Sequence, residues 1–201
     1  MVKISNMLKE KDFQFLRTLK GETLKKIEGY LLFNNPDLYT GVLRVCTCKT
    51  EFNFLCRFDV LKFGEDDDSK EEFATFRISR RDEEIWLPSD TKLTKTKFNN
   101  VIEDILIVNY KVRIKEFNNS LDADYTQAVI FGLNDCFLVI QKETWMSEFI
   151  SVRKGEGFTQ LLKDETRDWD IEDENGTCKI EQEIVRLDEP DEIEKKIVLG
   201  E

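Results

Sequence analysis

Ile105-Leu106-Ile107-Val108-Asn109-Tyr110-Lys111-Val112-Arg113-Ile114 reads as one long β-strand. Val108, Tyr110, Val112 and Ile114 fall on one face, and Lys111 and Arg113 on the other. This is the two-residue period of extended chain. Working outward from it, residues 125–131 and 136–142 predict a hairpin about Gly132-Leu133-Asn134-Asp135, and Phe149 to Val152 continues the meander.

Upstream, Phe52, Phe54, Cys56 and Phe58 alternate with Asn53, Arg57 and Asp59, although Leu55 breaks the polarity. The segment 52–63 is therefore a second half-buried strand. Further strands are expected over Ile27–Phe33, Val42–Lys49, Phe73–Ser79 and Glu84–Leu87. Asn34-Asn35-Pro36-Asp37 has the residues of a turn, and Glu65-Asp66-Asp67-Asp68-Ser69 those of a charged loop. Residues 88–100, with Pro88, three Thr, three Lys and two Asn, read as a connection. Near the start, Asp12 can cap a short helix carrying Phe13, Leu16 and Leu19 at three-residue spacing, and Gly21 can end it.

The expected fold is α+β: a predominantly antiparallel β-sheet or half-barrel, a short N-terminal helix and a C-terminal acidic β-hairpin. The hairpin rests on Asn175-Gly176, the preferred pair for a two-residue type I′ turn, between alternating segments at Trp169-Asp170-Ile171 and Lys179 to Ile184. In that register Ile171 faces Ile180 and Trp169 faces Gln182. Asp168, Asp170, Glu172, Glu181 and Glu183 then share an outer face.

Charge divides the 201 residues in two. Residues 164–201 hold 15 acids and 5 bases, while residues 1–163 hold 26 acids and 25 bases, so nearly all of the net −11 lies at the C-terminal end. The expected organisation is a near-neutral main domain over 1–163 and an acidic hairpin and tail over 164–201 packed on it. At 40% hydrophobic and 35% charged, the composition is that of a globular chain. No apolar run approaches the roughly 20 residues of a membrane span. The start, Met1-Val2-Lys3-Ile4-Ser5-Asn6, is unlike a secretory signal, and the five cysteines, an odd number, read as reduced thiols. These features predict a cytoplasmic protein.

The sequence has no histidine, which excludes Ser-His-Asp and Cys-His nucleophiles and every His-containing metal site. Cys46-x-Cys48 with Cys56 departs from zinc spacing and reads as small buried hydrophobes. Asp66-Asp67-Asp68 and Asp122-x-Asp124 lack the glycine and distal glutamate of a calcium loop. Pro190-Asp191 with Glu194-Lys195-Lys196 imitates a nuclease motif at too short a spacing, and no phosphate-cradling glycine loop occurs. No cofactor, no metal and no catalysis are expected. Lys111, Arg113 and Lys115, with Lys92, Lys95 and Lys97, read as the solvated face of outer strands rather than a nucleic-acid surface.

The function these patterns predict is a non-enzymatic protein-binding module, of the kind represented by immunity proteins and inhibitors. It would meet a basic partner through Asp168, Asp170, Glu172, Glu181 and Glu183. The alternatives are a small-ligand or enzyme domain with an aromatic-lined pocket, and a structural subunit of a homo-oligomer.

Overall fold

Alternation and β-branched runs give strands here, and where both faces of a strand are apolar, both faces are buried. The computed structural model describes residues 2–32, 35–62, 70–80, 91–115, 120–162, 169, 176–188 and 193–199. The strands are β1 (Val2–Asn6), β2 (Thr23–Leu32), β3 (Asn35–Thr47), β4 (Glu51–Lys62), β5 (Lys70–Ser79) and β6 (Thr91–Lys115). They continue as β7 (Ser120–Leu133), β8 (Cys136–Lys142), β9 (Ile150–Gly155), β10 (Thr177–Arg186) and β11 (Ile193–Leu199). Two helices, α1 (Glu10–Arg17) and α2 (Phe158–Leu161), complete the described elements. The architecture is predominantly β, with a mixed and largely antiparallel sheet.

Strand pairing closes on itself. β6 pairs β7, β7 pairs β8, β8 pairs β9, β9 pairs β3, β3 pairs β2, and β2 returns to β6. The closure between β9 and β3 is short, at Leu38↔Ser151 and Tyr39↔Ile150. Beyond Gly41 the same edge of β3 passes to β4, in the register Val42↔Leu55 to Cys46↔Glu51. Gly41 sits where this exchange occurs, and a Cβ there would lie 2.3 Å from the Cys56 carbonyl oxygen and 2.8 Å from that of Glu148. Only glycine lets the three backbones approach so closely.

Two apolar clusters lie on opposite faces of the β6–β7 pair. Ile105, Ile107, Val129 and Phe131 point into one, together with Phe15, Leu16 and Leu19 from the helical region and Phe52 and Phe54 from β4. Leu106, Val108, Ala128 and Ile130 point into the other, with Phe73, Trp169, Ile180 and Ile184. Burial on both faces explains the near-continuous apolar text of these strands. A bulge between Val108 and Asn109 leaves Gln127 as an extra residue on β7 and reverses the alternation, so Tyr125 and Ala123 join Ala128 in the second cluster.

The bulge also turns polar groups inward. Thr126 Oγ1 donates to Asn109 Oδ1 at 2.9 Å and accepts the Leu8 N–H at 3.0 Å. Gln127 Nε2 donates to the Lys142 carbonyl at 2.5 Å. Lys142 is itself fully buried. Its ammonium donates to the Ala74 carbonyl at 3.0 Å and lies 4.0 Å from the Tyr125 ring centroid and 4.8 Å from that of Phe73. An ammonium over ring faces in a dry interior regains part of its lost hydration.

Several sequence expectations need correction. Residues 91–100 are strand and not a connection, because β2 supplies a partner from Thr23↔Val101 to Leu32↔Thr91. Asn35 to Asp37 belong to β3, and Asn35 pairs Leu32. Helix α1 begins at Glu10, so Asp12 is its third residue and accepts the Lys9 N–H at 3.0 Å, the return half of a capping box. Gly21, at φ 81°, ends the region as expected. The hairpin at 132–135 forms, closed by Leu133↔Cys136. Glu84–Leu87 lies outside the described residues.

The C-terminal pairing is also different. β10 runs antiparallel to β6 over its whole length, from Thr177↔Lys115 to Arg186↔Leu106. Its other edge pairs β11, from Ile180↔Leu199 to Val185↔Ile193. Ile180 and Gln182 therefore have strand neighbours on both sides, and neither is Ile171 or Trp169. The C-terminal hairpin of this chain is β10–β11, and it extends the main sheet. Trp169 instead packs in the second cluster, stacked on Trp145 at 4.9 Å, with its indole N–H donating to Tyr125 Oη at 3.2 Å.

Candidate functional site

Of the acidic residues singled out in the sequence, Asp168, Asp170 and Glu172 lie outside the described residues. Glu181 and Glu183 are on β10, and each meets a cation. Glu181 lies 2.7 Å from the Lys179 ammonium, and Glu183, 7% exposed, lies 2.8 Å from that of Lys111. The basic row on β6 is offset in the same way. Arg113 reaches Asp124 at 2.6 Å and Asp122 at 3.8 Å across the β6–β7 pair. Opposite charges thus alternate from strand to strand over β10, β6 and β7, which is the stabilising arrangement for cross-strand neighbours. Lys95, with Lys26, contacts Glu28 at 3.4 and 2.9 Å. Burial alone would raise the Glu28 pKa, but these two ammonium groups more than offset it and hold the carboxyl below its ordinary value.

Phe15, Phe52, Phe54 and Phe76 pack together in the core. Phe54 stacks on Phe76 at 5.2 Å and meets Phe52 edge-on at 5.3 Å, and Phe15 meets Phe52 edge-on at 5.1 Å. Cys46 and Cys56 are buried, Cys136 and Cys178 are half-buried, and Cys48, beyond the end of β3, is exposed. Cys46 and Cys48 thus do not share a strand face. Burial raises the thiol pKa of Cys46, Cys136 and Cys178. No group of three metal-ligating side chains gathers among the described residues, and none of their helices is long and apolar enough to cross a membrane.

The feature that sequence reading missed is a basic groove. β1 lies parallel to β7, from Val2↔Leu121 to Asn6↔Tyr125. The chain then leaves the sheet, is pinned by the Leu8 N–H on Thr126, and enters α1 through the Lys9–Asp12 capping box. This segment forms one wall. The opposite wall is β5, paired to β4 on one side from Asn53↔Ser79 to Lys62↔Lys70. β5 is held down at Ala74, whose N–H donates to the Trp145 carbonyl at 2.8 Å and whose carbonyl accepts Lys142.

Between the walls lie two adjoining cavities that share Lys11, Asp12, Arg77 and Ile78. One, of about 350 Å³, runs from Ser5 to Asp12 against Thr75 to Ile78. The other, of about 620 Å³, continues over Phe15, Leu55, Arg57, Ser79 and Arg80. Lys9, Lys11, Arg77 and Arg80 line this groove, and Asp12 is the one carboxylate among its described lining residues; Arg57 borders it too, but its Nη1 lies 2.9 Å from where a Gly41 Cβ would sit. That carboxylate accepts the Lys9 N–H, and Arg77 pairs with Asp59 on the neighbouring strand. Arg80 lies 4.9 Å over the Phe15 ring. No described carboxylate ion-pairs with Lys9, Lys11 or Arg80. In a chain of net −11, this is a local concentration of positive charge beside an apolar floor of Leu8, Leu55 and Phe76.

No family model matches the sequence, and no match was found among curated proteins or among solved structures.

Proposed function

We propose that this chain is a non-enzymatic protein-binding module whose groove between the 5–12 segment and β5 receives an acidic, partly apolar segment of a partner. The observation that carries this reading is the convergence of Lys9, Lys11, Arg77 and Arg80 on one concave surface. Like charges held together on a protein surface repel one another, and an anion arriving there relieves that repulsion. Base stacking would need an open aromatic face, and the Phe15 face is already covered by Arg80.

The sign of the partner is thereby opposite to that suggested by the total charge. An acidic face meeting a basic partner still has Asp168, Asp170 and Glu172 to draw on, but Glu181 and Glu183 are already matched by Lys179 and Lys111.

The test uses fluorescein-labelled decaglutamate and decalysine, titrated against the full chain. Decaglutamate should bind, weaken as salt rises, and lose at least about tenfold in affinity in the K9E/K11E/R80E variant. Binding of decalysine that is lost on neutralising Asp168, Asp170 and Glu172 would overturn the groove reading in favour of the acidic one.

A further inference from the structure

The basic row along β6 divides in two once its neighbours are known. Lys111 and Arg113, in the second half, meet the carboxylates of Glu183, Asp124 and Asp122. Lys95 and Lys97, in the first half, lie beside β2 instead. There Lys26 aligns with Lys97, Glu28 with Lys95 and Tyr30 with Leu93. Residues directly opposite each other on paired strands share a face, and so do residues two apart. The same face continues onto β3, where Cys46 aligns with Lys26 and Arg44 with Glu28, and it ends on β4 at Glu51 and Asn53. It is the outer face, because Ile27 and Leu43, of the opposite parity, are buried in the core.

The charge of this face is positive. Lys26, Arg44 and Lys95 surround Glu28 at 2.9, 3.7 and 3.4 Å, so three cations meet one carboxylate. Lys97 is exposed and ion-pairs with no described carboxylate. The Lys25 ammonium donates to Asn99 Oδ1 at 2.8 Å, which brings a fifth cation to the strand two residues beyond Lys97. Against these five stand Glu28 and, at the β4 border, Glu51. Tyr30 and Leu93 close the other end of the strip. Leu93 is 46% exposed, Tyr30 is half-buried, and no other ring packs on Tyr30 among the described residues. From Lys25 to Tyr30 the strip runs roughly 17 Å, at about 3.3 Å per residue.

We infer that this outer face of β2, β3 and the first half of β6 binds single-stranded nucleic acid, with phosphates on Lys25, Lys26, Arg44, Lys95 and Lys97 and a base on Tyr30 beside Leu93. The inference is independent of the groove. Cations spread along a sheet neutralise a phosphate backbone, and a ring at strand level gives a base something to stack on. Both edges of β2 are taken, by β3 and by β6, so an extended peptide laid on this face has no backbone to pair with. A duplex would hide the faces of its bases from Tyr30, which favours a single strand. Glu28 lowers the net attraction and in return holds three of the cations in place.

The probe is fluorescein-labelled oligothymidylate of ten residues, with an abasic deoxyribose-phosphate oligomer of the same length and charge. Oligothymidylate should bind the full chain at low salt, weaken as salt rises, and bind at least about fivefold more tightly than the abasic oligomer. It should lose at least about tenfold in affinity in K25E/K97E and at least about fivefold in Tyr30→Ser, while K9E/K11E/R80E changes it by less than about threefold. Lys25 and Lys97 are outside the Glu28 cluster, so their reversal leaves that cluster intact, and the abasic comparison needs no variant at all. Absence of oligothymidylate binding overturns the proposal, and so does equal affinity for the abasic oligomer. Binding that is lost in K9E/K11E/R80E but kept in K25E/K97E assigns the polyanion to the groove and overturns it as well. Displacement of oligothymidylate by decaglutamate at equal or lower concentration, with K25E/K97E abolishing both, makes an acidic protein the occupant and overturns the nucleic-acid assignment. None of these results alters the decaglutamate test of the groove, which is read in K9E/K11E/R80E.

Discussion

The two halves of β6 belong to one strand but are held by different forces. From Thr91 to Val101 the side chains are exposed or half-exposed throughout, and β2 is the strand neighbour. From Ile102 to Lys115 most are buried, and β7 and β10 flank the strand. The second half is stabilised by removing apolar surface from water on both faces. The first half has little such surface, and Leu93 and Val101 are among its more exposed residues. Its strand conformation depends on a ladder with β2 and on Lys95, which with Lys26 and Arg44 surrounds Glu28. A β-strand can therefore be specified either by burial or by a neighbour that supplies backbone and charge.

The largest blow to this contrast falls on the buried half. Ile107→Ala removes a side chain packed between β7 and the helical region, and should cost about 3 kcal/mol in urea unfolding, within the usual range for such truncations. Glu28→Gln should cost about 1 kcal/mol near neutral pH, because it breaks a partly exposed charge cluster. The sign of its pH dependence follows from the lowered carboxyl pKa. The stabilisation is present above the ordinary carboxyl pKa of 4.5 and is lost as pH falls through the lower value in the folded protein. The stability gap between Glu28→Gln and the parent should therefore close in acid, and a gap that widens there would contradict the assignment. Leu93→Ala, 46% exposed in the parent, should change stability by less than about 0.5 kcal/mol. A loss near that of Ile107→Ala would mean that the two halves are held alike.

The same contrast explains what could be read from the sequence. Ile105–Ile114 was legible because apolar side chains alternate there with Lys111 and Arg113, and the 132–135 hairpin because its turn is local. Thr91–Val101 was not, because its Thr and Lys residues give no apolar face and its strand state depends on β2, distant in sequence. The Asn175-Gly176 signal expressed a local turn preference. The pairing of β10 was decided instead by β6 and β11, which occupy both of its edges. Nothing in the text marked Gln127 as a bulge, since residues on both sides of it are buried. Lys142 closes the strand expected over 136–142, and the text does not show the aromatic surroundings that Phe73 and Tyr125 give it. The groove was hidden for a related reason. Lys9, Lys11, Arg77 and Arg80 form no charge run, and only the approach of β5 to the 5–12 segment gathers them.

The parallel seat of β1 beside β7 has a consequence for the order in which the chain assembles. Val2 aligns with Leu121 and Asn6 with Tyr125, and the Leu8 N–H is anchored on Thr126. On a ribosome residues 2–6 must wait, without this partner strand, until residues 121–125 have followed them out. Contacts so far apart in sequence carry a high loop-closure cost and form late. The 5–12 wall of the groove is thus among the last parts to be fixed in place, and β4 and β5 can pair before that wall is there to flank them.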